Sequence, residues 1–367
     1  MDGLSVYIHV PFCLSRCSYC NFYSTTELEM RPRYIDAVKR AILSADIAGR
    51  DIATVYFGGG TPSLLGTELL KILDTIRMHC NLLPEAEITL EANPKTVDLA
   101  MLILLRKGGF NRISFGLQAT DDGHLRGLGR KHSAQDGIDS IELAKQAGFS
   151  NISVDIMLGT PYQTISGAIQ LADSVLKLHV PHISAYLLKI EPDTPFGRSD
   201  IAETCPDPDE MADIYLAVCS RLENAGYRHY EISNFAQPGF ESQHNNAYWN
   251  LTDYLGIGPA TYSYMDGKRF SFPPTLASFV ESPNAWDTIV SDGVGGDFEE
   301  YVMLSLRLAK GLSLQQAGEK YGIDTAAMKR RAQQLENHGY VKVINGHIRL
   351  TNTGFLMSNS IITNLLG

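Results

Sequence analysis

The sequence predicts an α/β protein built on a partial (β/α)6 TIM-like barrel, followed by a small α+β region and a C-terminal winged-helix-like module. Short β-rich runs alternate six times with helical runs, which is typical of parallel strands joined by crossover helices. Six units are too few for a closed eight-fold barrel. Three further helical runs and a hairpin follow, and this pattern indicates a winged helix.

Runs rich in β-branched and aromatic residues predict the strands, at 4–10, 52–57, 86–91, 111–116, 151–158 and 182–188. Apolar residues at helical spacing predict the connecting helices, at 31–48, 66–79, 98–107, 134–147 and 165–178. Near the C-terminus, helical runs at 298–309, 313–321 and 325–338 precede VKVINGHIRLT, whose Asn345-Gly346 is a strong hairpin signal. We therefore expect a barrel at 1–190, a barrel-completing region at 191–296 and the winged-helix-like module at 297–367.

Composition excludes several classes of protein. The 367 residues are 44% hydrophobic and 20% charged, as in an ordinary globular protein. No run of about 18 apolar residues predicts a membrane span, and the first residues lack the basic segment of a signal peptide. We therefore expect a cytoplasmic protein. The net charge of −10 argues against nucleic acid as a partner, so the short basic run Lys329–Arg331 is interpreted as a solvated helix face.

Three cysteines directly follow the first predicted strand. Cys13, Cys17 and Cys20 have the spacing C-x3-C-x2-C. A [4Fe-4S] cluster normally takes four cysteine ligands, so three would leave one iron free for a substrate or cofactor. Zinc would need a fourth ligand, for which His9 is the only close candidate. A disulfide is the other alternative, but an odd trio without a secretory signal fits it poorly.

Polar groups follow the other predicted strands. The second strand runs into Gly58-Gly59-Gly60-Thr61, the third ends in Glu91, the fourth precedes Gln118, and the fifth contains Asp155. The carboxyl ends of barrel strands meet at one mouth, so these groups are expected to converge on a site. Each group also has an alternative interpretation when it is considered alone. The glycines could form only a tight turn, and Glu91 and Gln118 could be solvated surface residues. A carboxylate within a buried strand, however, is costly unless it is paired, and Arg130 is a plausible partner.

Several stretches resemble the HemN/HemW family of radical S-adenosylmethionine (SAM) enzymes, which contains oxygen-independent coproporphyrinogen III oxidases and heme chaperones. They are YIHVPFCLSRCSYC, FGGGTPS, LEANP, FGLQATDDGHLRGLGRKH and VDIMLGTP, in that order along the chain. The resemblance implies that the three cysteines hold a [4Fe-4S] cluster and that the free iron binds SAM. It also implies an electron donor such as a flavodoxin or ferredoxin, whose electron lets the cluster cleave SAM to a 5′-deoxyadenosyl radical.

The resemblance also assigns the SAM contacts by position. Arg130 would pair with the methionine carboxylate, and Glu91 and Asp155 would bind the ribose. The complete set that it implies is Tyr7, Gly59, Gly60, Thr61, Glu91, Gln118, Arg130, Asp155 and Lys189.

Two departures separate the branches of this family. The oxidases carry a fourth cysteine two residues after the third, whereas here Asn21 and Phe22 follow Cys20. The oxidases also have a substantial extension ahead of the family tyrosine, whereas six residues precede Tyr7 here. Both departures favour the heme chaperone branch.

The segment HNNAYW at 244–249 matches the H-N-x-x-Y-W pattern of the heme chaperones. The resemblance implies that His244, Tyr248 and Trp249 contact heme, with His244 as a possible axial ligand. The alternative is that His244 caps a turn and Trp249 fills a core. Tyr262 stands where the family commonly has a histidine, so a heme ligand is not expected there.

Three functions are consistent with these residues. The leading hypothesis is a heme chaperone that binds a [4Fe-4S] cluster, SAM and heme, and passes heme to an acceptor protein; any membrane association would occur through that acceptor. The second is coproporphyrinogen III oxidase, a radical decarboxylase of porphyrin biosynthesis. The third is a radical SAM methyltransferase of anaerobic heme degradation. Whether the chain is an enzyme is therefore left open.

Overall fold

The computed structural model describes residues 3–367 of the chain. A run of parallel strands forms its centre, and each strand hydrogen-bonds to the next in chain order. The six strands are β1 (Leu4–Val10), β2 (Asp51–Gly59), β3 (Asn81–Ala92), β4 (Arg112–Gln118), β5 (Asn151–Leu158) and β6 (His182–Leu187). The predicted strands are confirmed, although β3 begins five residues before the predicted residue 86.

Helices follow the strands and cover the outer face of the sheet. They are α1 (Arg31–Ser44), α2 (Leu69–His79), α3 (Leu99–Lys107), α4 (Asp122–Gly127), α5 (Ala134–Gln146), α6 (Ile165–Leu176) and α7 (Pro208–Asn224). The predicted helix 31–48 ends early because Ala45 adopts an extended conformation. The predicted helix 66–79 starts late because Gly66 has a φ of 57° within a 3-10 segment.

Residues after α7 extend the sheet at both edges. On one side lie β7 (Arg228–Glu231) and β8 (Asn234–Ala236), and α8 (Gln243–Trp249) then leads to β9 (Tyr254–Ile257) on the other side. β9 pairs parallel with β1, which makes a seventh parallel strand that the sequence pattern did not predict. The sheet continues through β10 (Tyr262–Met265) and β11 (Lys268–Ser271), and after α9 (Leu276–Glu281) through β12 (Val290–Val294).

The twelve strands form one open sheet in the order β12-β11-β10-β9-β1-β2-β3-β4-β5-β6-β8-β7. Within residues 3–367, no pairing joins the two outermost strands, so the architecture is the predicted partial barrel. The chain also contains no helix, among those described, of the length and apolar character that a membrane crossing requires.

Side chains alternate between the two faces of the central strands, as the period of a strand requires. On the outer face, Val6, Ile8 and Val10 of β1 belong to the main apolar core. The inner face is polar and buried, since Thr54 hydrogen-bonds to His244 and Ser114 to Asp155. The interior of the partial barrel is therefore lined by hydrogen-bonding groups rather than filled with aliphatic ones.

The last part of the chain has three helices and a hairpin, as predicted for a winged-helix-like module. The helices are α10 (Phe298–Ser305), α11 (Leu314–Tyr321) and α12 (Ala326–Asn337). β13 (Leu312–Ser313), β14 (Val341–Ile344) and β15 (His347–Leu350) form a separate three-stranded sheet. Two short helices that the pattern did not predict complete the module, α13 (Asn352–Leu356) and α14 (Ser358–Leu366). The boundaries at 190 and 296 stay predictions.

Candidate functional site

The three cysteines lie on the loop that follows β1. The backbone N–H of Cys13 donates to Thr25 O at 2.9 Å, and that of Cys20 donates to Cys17 O at 3.2 Å. All three are free thiols and partly exposed. Burial raises the pKa of Cys13 and of Cys20, so their thiolates depend on partners that stabilise negative charge.

One cavity of about 400 Å³ opens beside this loop at the carboxyl ends of the central strands. Most of the predicted site residues line it together: Cys13, Cys17, Cys20, Gly59, Gly60, Thr61, Glu91, Gln118, Arg130, Asp155 and Lys189. The carboxyl ends of parallel strands meet at one edge, which is why residues more than 170 positions apart share a single wall. The predicted convergence at the barrel mouth is therefore present in the fold.

Glu91 is held on this wall by two donors. The Tyr56 hydroxyl donates to its Oε1 at 2.7 Å, and the Gly59 N–H donates to its Oε2 at 3.1 Å. Burial raises the pKa of Glu91 to about 7, although both of these hydrogen bonds lower it. A carboxylate with two fixed oxygens retains lone pairs that can accept hydrogen bonds from vicinal hydroxyls.

Gln118 and Asp155 offer polar atoms in the same cavity. Gln118 has a φ of 67°, and its buried Oε1 has no hydrogen-bond partner in the described residues. Ser114 donates to Asp155 Oδ1 at 3.2 Å, and burial raises the pKa of Asp155. A buried amide oxygen without a partner is uncommon in folded proteins, so Gln118 fits a polar ligand that would supply a donor.

Arg130 links the cysteine loop to the strand ends. Its Nη1 lies 3.5 Å from the Cys17 sulfur, and its Nη2 donates to Asn93 Oδ1 at 2.5 Å and to Gly116 O at 2.6 Å. The guanidinium therefore stands between the Cys17 sulfur and the wall on which SAM is predicted to bind. An anionic carboxylate in this position would be paired with a fixed cation.

The glycine turn after β2 leaves no room for side chains. A Cβ on Gly59 would lie 2.6 Å from ring atoms of His9, and one on Gly60 would lie 2.8 Å from Phe12 O. Gly59 also has a φ of 110°, which only glycine adopts readily. The turn brings backbone donors close to the cavity, as a cradle for a small polar ligand requires.

Two predicted SAM contacts have different surroundings. Tyr7 does not line the cavity; its hydroxyl lies 3.2 Å from His9 Nδ1, and its ring centroid lies 6.0 Å from that of Tyr56. Lys189 lies at the rim, where it is 82% exposed and pairs with Glu191 at 2.6 Å. Both assignments stay predictions.

The residues predicted to contact heme lie on α8, and none of them lines the cavity. His244 is 1% exposed, and each ring nitrogen has a partner: Nδ1 lies 2.6 Å from Thr54 Oγ1, and Nε2 lies 2.8 Å from Tyr248 Oη. Trp249, at the end of the same helix, is half-buried. The heme-contact assignment stays a prediction, but in this conformation iron could reach His244 only if the ring gave up one of these bonds.

The sequence reasoning missed several residues of the wall and its support. Ser114 and Tyr186 line the cavity, and Tyr56 holds Glu91. All three point to the inner face of their strands and lie three or four residues before a predicted site position. The alternation of polar and apolar residues in TVYFGG and RISFGLQ was the signal that could have found Tyr56 and Ser114.

No group of three or more His, Cys, Asp or Glu side chains within residues 3–367 converges as ligands do around a single metal ion. The ligands of a cubane cluster bind separate irons, so they need to surround a volume rather than meet at a point. Three thiols on one short loop at the edge of a cavity would supply three of the four cysteine ligands that such a cluster normally takes.

Comparison with known proteins agrees with this geometry. Residues 7–175 match the radical SAM superfamily, and residues 297–357 match the HemN C-terminal domain. The heme chaperone HemW of Mycobacterium tuberculosis is 33% identical over 99% of this chain and 94% of its own length. The heme chaperone HemW of Bacillus subtilis is 32% identical over 99% of both chains.

A solved structure shows the same fold over nearly the whole chain. Coproporphyrinogen III oxidase (HemN) from Escherichia coli, a radical SAM enzyme, superposes with a TM-score of 0.84 and covers 99% of this chain and 90% of its own, at 22% identity. At that identity the likeness establishes the fold alone. From the full-length sequence similarity and the two matching domains, we conclude that the chain belongs to the HemW family of radical SAM proteins.

Proposed function

We propose that this protein is a heme chaperone that carries a [4Fe-4S] cluster and SAM, binds heme and transfers it to an acceptor protein. The observation that carries the proposal is the cavity that joins the three cysteines to all the predicted SAM contacts except Tyr7, in a chain similar over its full length to proteins named heme chaperones. We expect these steps to occur in the cytoplasm.

Cys13, Cys17 and Cys20 would hold the cluster, and its fourth iron would be left for SAM. When bound, the cluster and SAM together supply one-electron chemistry. The chain's own groups orient the cofactor: Arg130 offers a fixed cation and Glu91 a fixed carboxylate. Gln118 adds an acceptor without a partner among the described residues.

An electron donor such as a flavodoxin or ferredoxin is also part of the proposal. A second cavity of about 250 Å³ adjoins the first and shares Cys17 and Arg130 with it. Arg130, Lys95 and Lys131 lie on its wall, and none of the described residues that line it is Asp or Glu. Lys95 pairs with Asp136 at 3.4 Å, so Arg130 and Lys131 carry the excess charge. In a chain of net charge −10 this local excess of positive charge suits an acidic partner close to the cluster.

The lack of a fourth cysteine favours the chaperone over the decarboxylase. Phe22 occupies the position of that cysteine, lies on the cavity wall and is 67% exposed. A large exposed aromatic ring on the cluster loop offers apolar surface that a porphyrin could contact. No matching observation favours the methyltransferase.

The test is a pair of anaerobic incubations of the reconstituted protein, one with heme and one with coproporphyrinogen III. We expect a Soret band that saturates with heme, and no protoporphyrin product. Multiple-turnover formation of protoporphyrin would overturn the chaperone proposal in favour of the oxidase. Absence of heme binding would refute it and leave heme-independent radical chemistry.

The predicted heme ligand is tested in the same titration. His244→Ala should shift the Soret band and weaken binding if His244 ligates iron. His338→Ala, which removes an exposed histidine from the C-terminal module, is the control. A His244→Ala spectrum identical to wild type would place the ligand elsewhere.

A further inference from the structure

The first turn of helix α8 is anchored to strand β3. The carboxylate of Glu87 on β3 accepts hydrogen bonds from the backbone N–H of Gln243 at 3.2 Å and of His244 at 3.1 Å. Both amides belong to the first turn of the helix, where N–H groups lack partners within the helix. A buried carboxylate at this end therefore fixes α8 and places His244 inside the polar interior of the partial barrel.

The His244 ring forms a rigid platform under Tyr56. The two rings are stacked, with centroids 4.9 Å apart and planes inclined by 28°. Hydrogen bonds to Thr54 and Tyr248 fix the rotation of the imidazole. Burial lowers the pKa of His244 to about 3, so the platform is neutral over the working range of pH.

Tyr56 in turn reaches the cavity only through Glu91. Its hydroxyl donates to Glu91 Oε1, and the side chain is absent from the cavity wall that Glu91 lines. The second carboxylate oxygen is fixed by the Gly59 N–H. Both oxygens are therefore oriented by donors on β2, and each keeps a lone pair for a ligand.

We propose that Tyr56, supported by His244, is a positioning residue that holds Glu91 to accept hydrogen bonds from the ribose hydroxyls of SAM. This inference rests on the proposed function, because it requires that SAM binds in the cavity. It gives the H-N-x-x-Y-W segment a role in the SAM site. The family resemblance had implied that this segment contacts heme.

The ionisation of Glu91 gives this role a pH signature. The titratable and charged groups that act on Glu91 from the neighbouring elements are Tyr7, Tyr56, Tyr186, Tyr248, Asp155 and Arg112. Burial is the main cause that raises the pKa of Glu91 to about 7, and the Tyr56 hydrogen bond is the main cause that opposes it. Removal of that hydroxyl should raise the pKa further. As the pH falls, the variant would therefore protonate Glu91 earlier and would lose ribose binding at a higher pH than wild type.

The experiment measures the contribution of the ribose hydroxyls in wild type and Tyr56→Phe. S-adenosylhomocysteine and an analogue lacking both ribose hydroxyls are titrated anaerobically by calorimetry between pH 6 and pH 9, a range of about three units around the Glu91 pKa. In wild type, loss of the hydroxyls should weaken binding about 10-fold or more. In Tyr56→Phe that ratio should fall below about 3-fold. The pH at which half of the S-adenosylhomocysteine affinity is lost should also rise.

Tyr227→Phe is the matched control. Its hydroxyl is also buried and bonds to a backbone carbonyl, that of Val180, at the opposite end of β6 from the cavity. This variant should keep the wild-type ratio and midpoint, so it reports on the loss of any buried hydroxyl. An unchanged ratio and midpoint in Tyr56→Phe would overturn the proposal.

Two variants of His244 test the platform separately, and they decide the question if Tyr56→Phe fails to fold. His244→Phe keeps a flat ring under Tyr56 and should retain the hydroxyl ratio, whereas His244→Ala should reduce it. Equal, wild-type ratios in both would refute the platform. If wild type binds no S-adenosylhomocysteine at any pH, the SAM site itself is refuted, an outcome distinct from failure of the positioning role.

Discussion

Replacement of Gly59 by alanine should destabilise the protein and abolish SAM binding together. The φ of 110° at this position is strained for any residue with a Cβ, at a cost of about 1–3 kcal/mol. The added Cβ would also lie 2.6 Å from the His9 ring. That ring is fixed by the carbonyl of Tyr23 at 2.9 Å and by the Tyr7 hydroxyl at 3.2 Å.

The ring must therefore move and give up both bonds, at about 0.5–1.5 kcal/mol each. The sum is ~2–6 kcal/mol for Gly59→Ala. Gly49→Ala is the matched control, because Gly49 has a φ of 70° but no atom within 4 Å of the added Cβ. Only the left-handed backbone term, about 1–2 kcal/mol, applies there.

Urea denaturation of the two variants side by side measures the difference. We expect a lower midpoint for Gly59→Ala than for Gly49→Ala, and loss of S-adenosylhomocysteine binding in the first variant alone. Equal midpoints, with binding retained in both, would refute the argument that the turn is closed to side chains by His9.

Further predictions concern the cluster, the cation and the partner surface. Reconstituted protein should contain about four irons and four sulfides per chain. Cys17→Ala should abolish cluster binding, whereas the control Cys205→Ala should retain it. Stoichiometric zinc without iron would contradict the cluster assignment. Arg130→Ala should weaken SAM binding by ~1.5–3 kcal/mol, roughly 10- to 150-fold by calorimetry, and unchanged affinity would remove Arg130 from the site. Lys131→Glu should slow reduction of the cluster by an acidic flavodoxin, most strongly at low salt. Reduction by dithionite should stay at the wild-type rate. Equal slowing by both reductants would indicate damage to the cluster and would contradict the partner surface.

Local chemistry in the sequence already determined the chain's central features. The spacing of Cys13, Cys17 and Cys20 needs one loop only, so the donor set is visible without a fold. Alternating β and helical runs predicted parallel strands, and parallel strands bring Glu91, Gln118 and Asp155 to one edge. The convergence is present in the fold, while the cluster ligands stay a prediction. Both inferences were within reach of the sequence because each depends on a short segment or on a rule of topology.

Only the tertiary structure decided how elements far apart along the chain pack around the site. β9 joins β1 although almost 250 residues separate them, and no local pattern specifies such a pairing. The sequence left open whether His244 is a heme ligand or caps a turn, and the fold shows that its ring is buried between Thr54 and Tyr248. The role of Tyr56 likewise appears only when β2, β3 and α8 pack together, because a hydrogen bond and a ring stack depend on the distances between elements that are far apart along the chain.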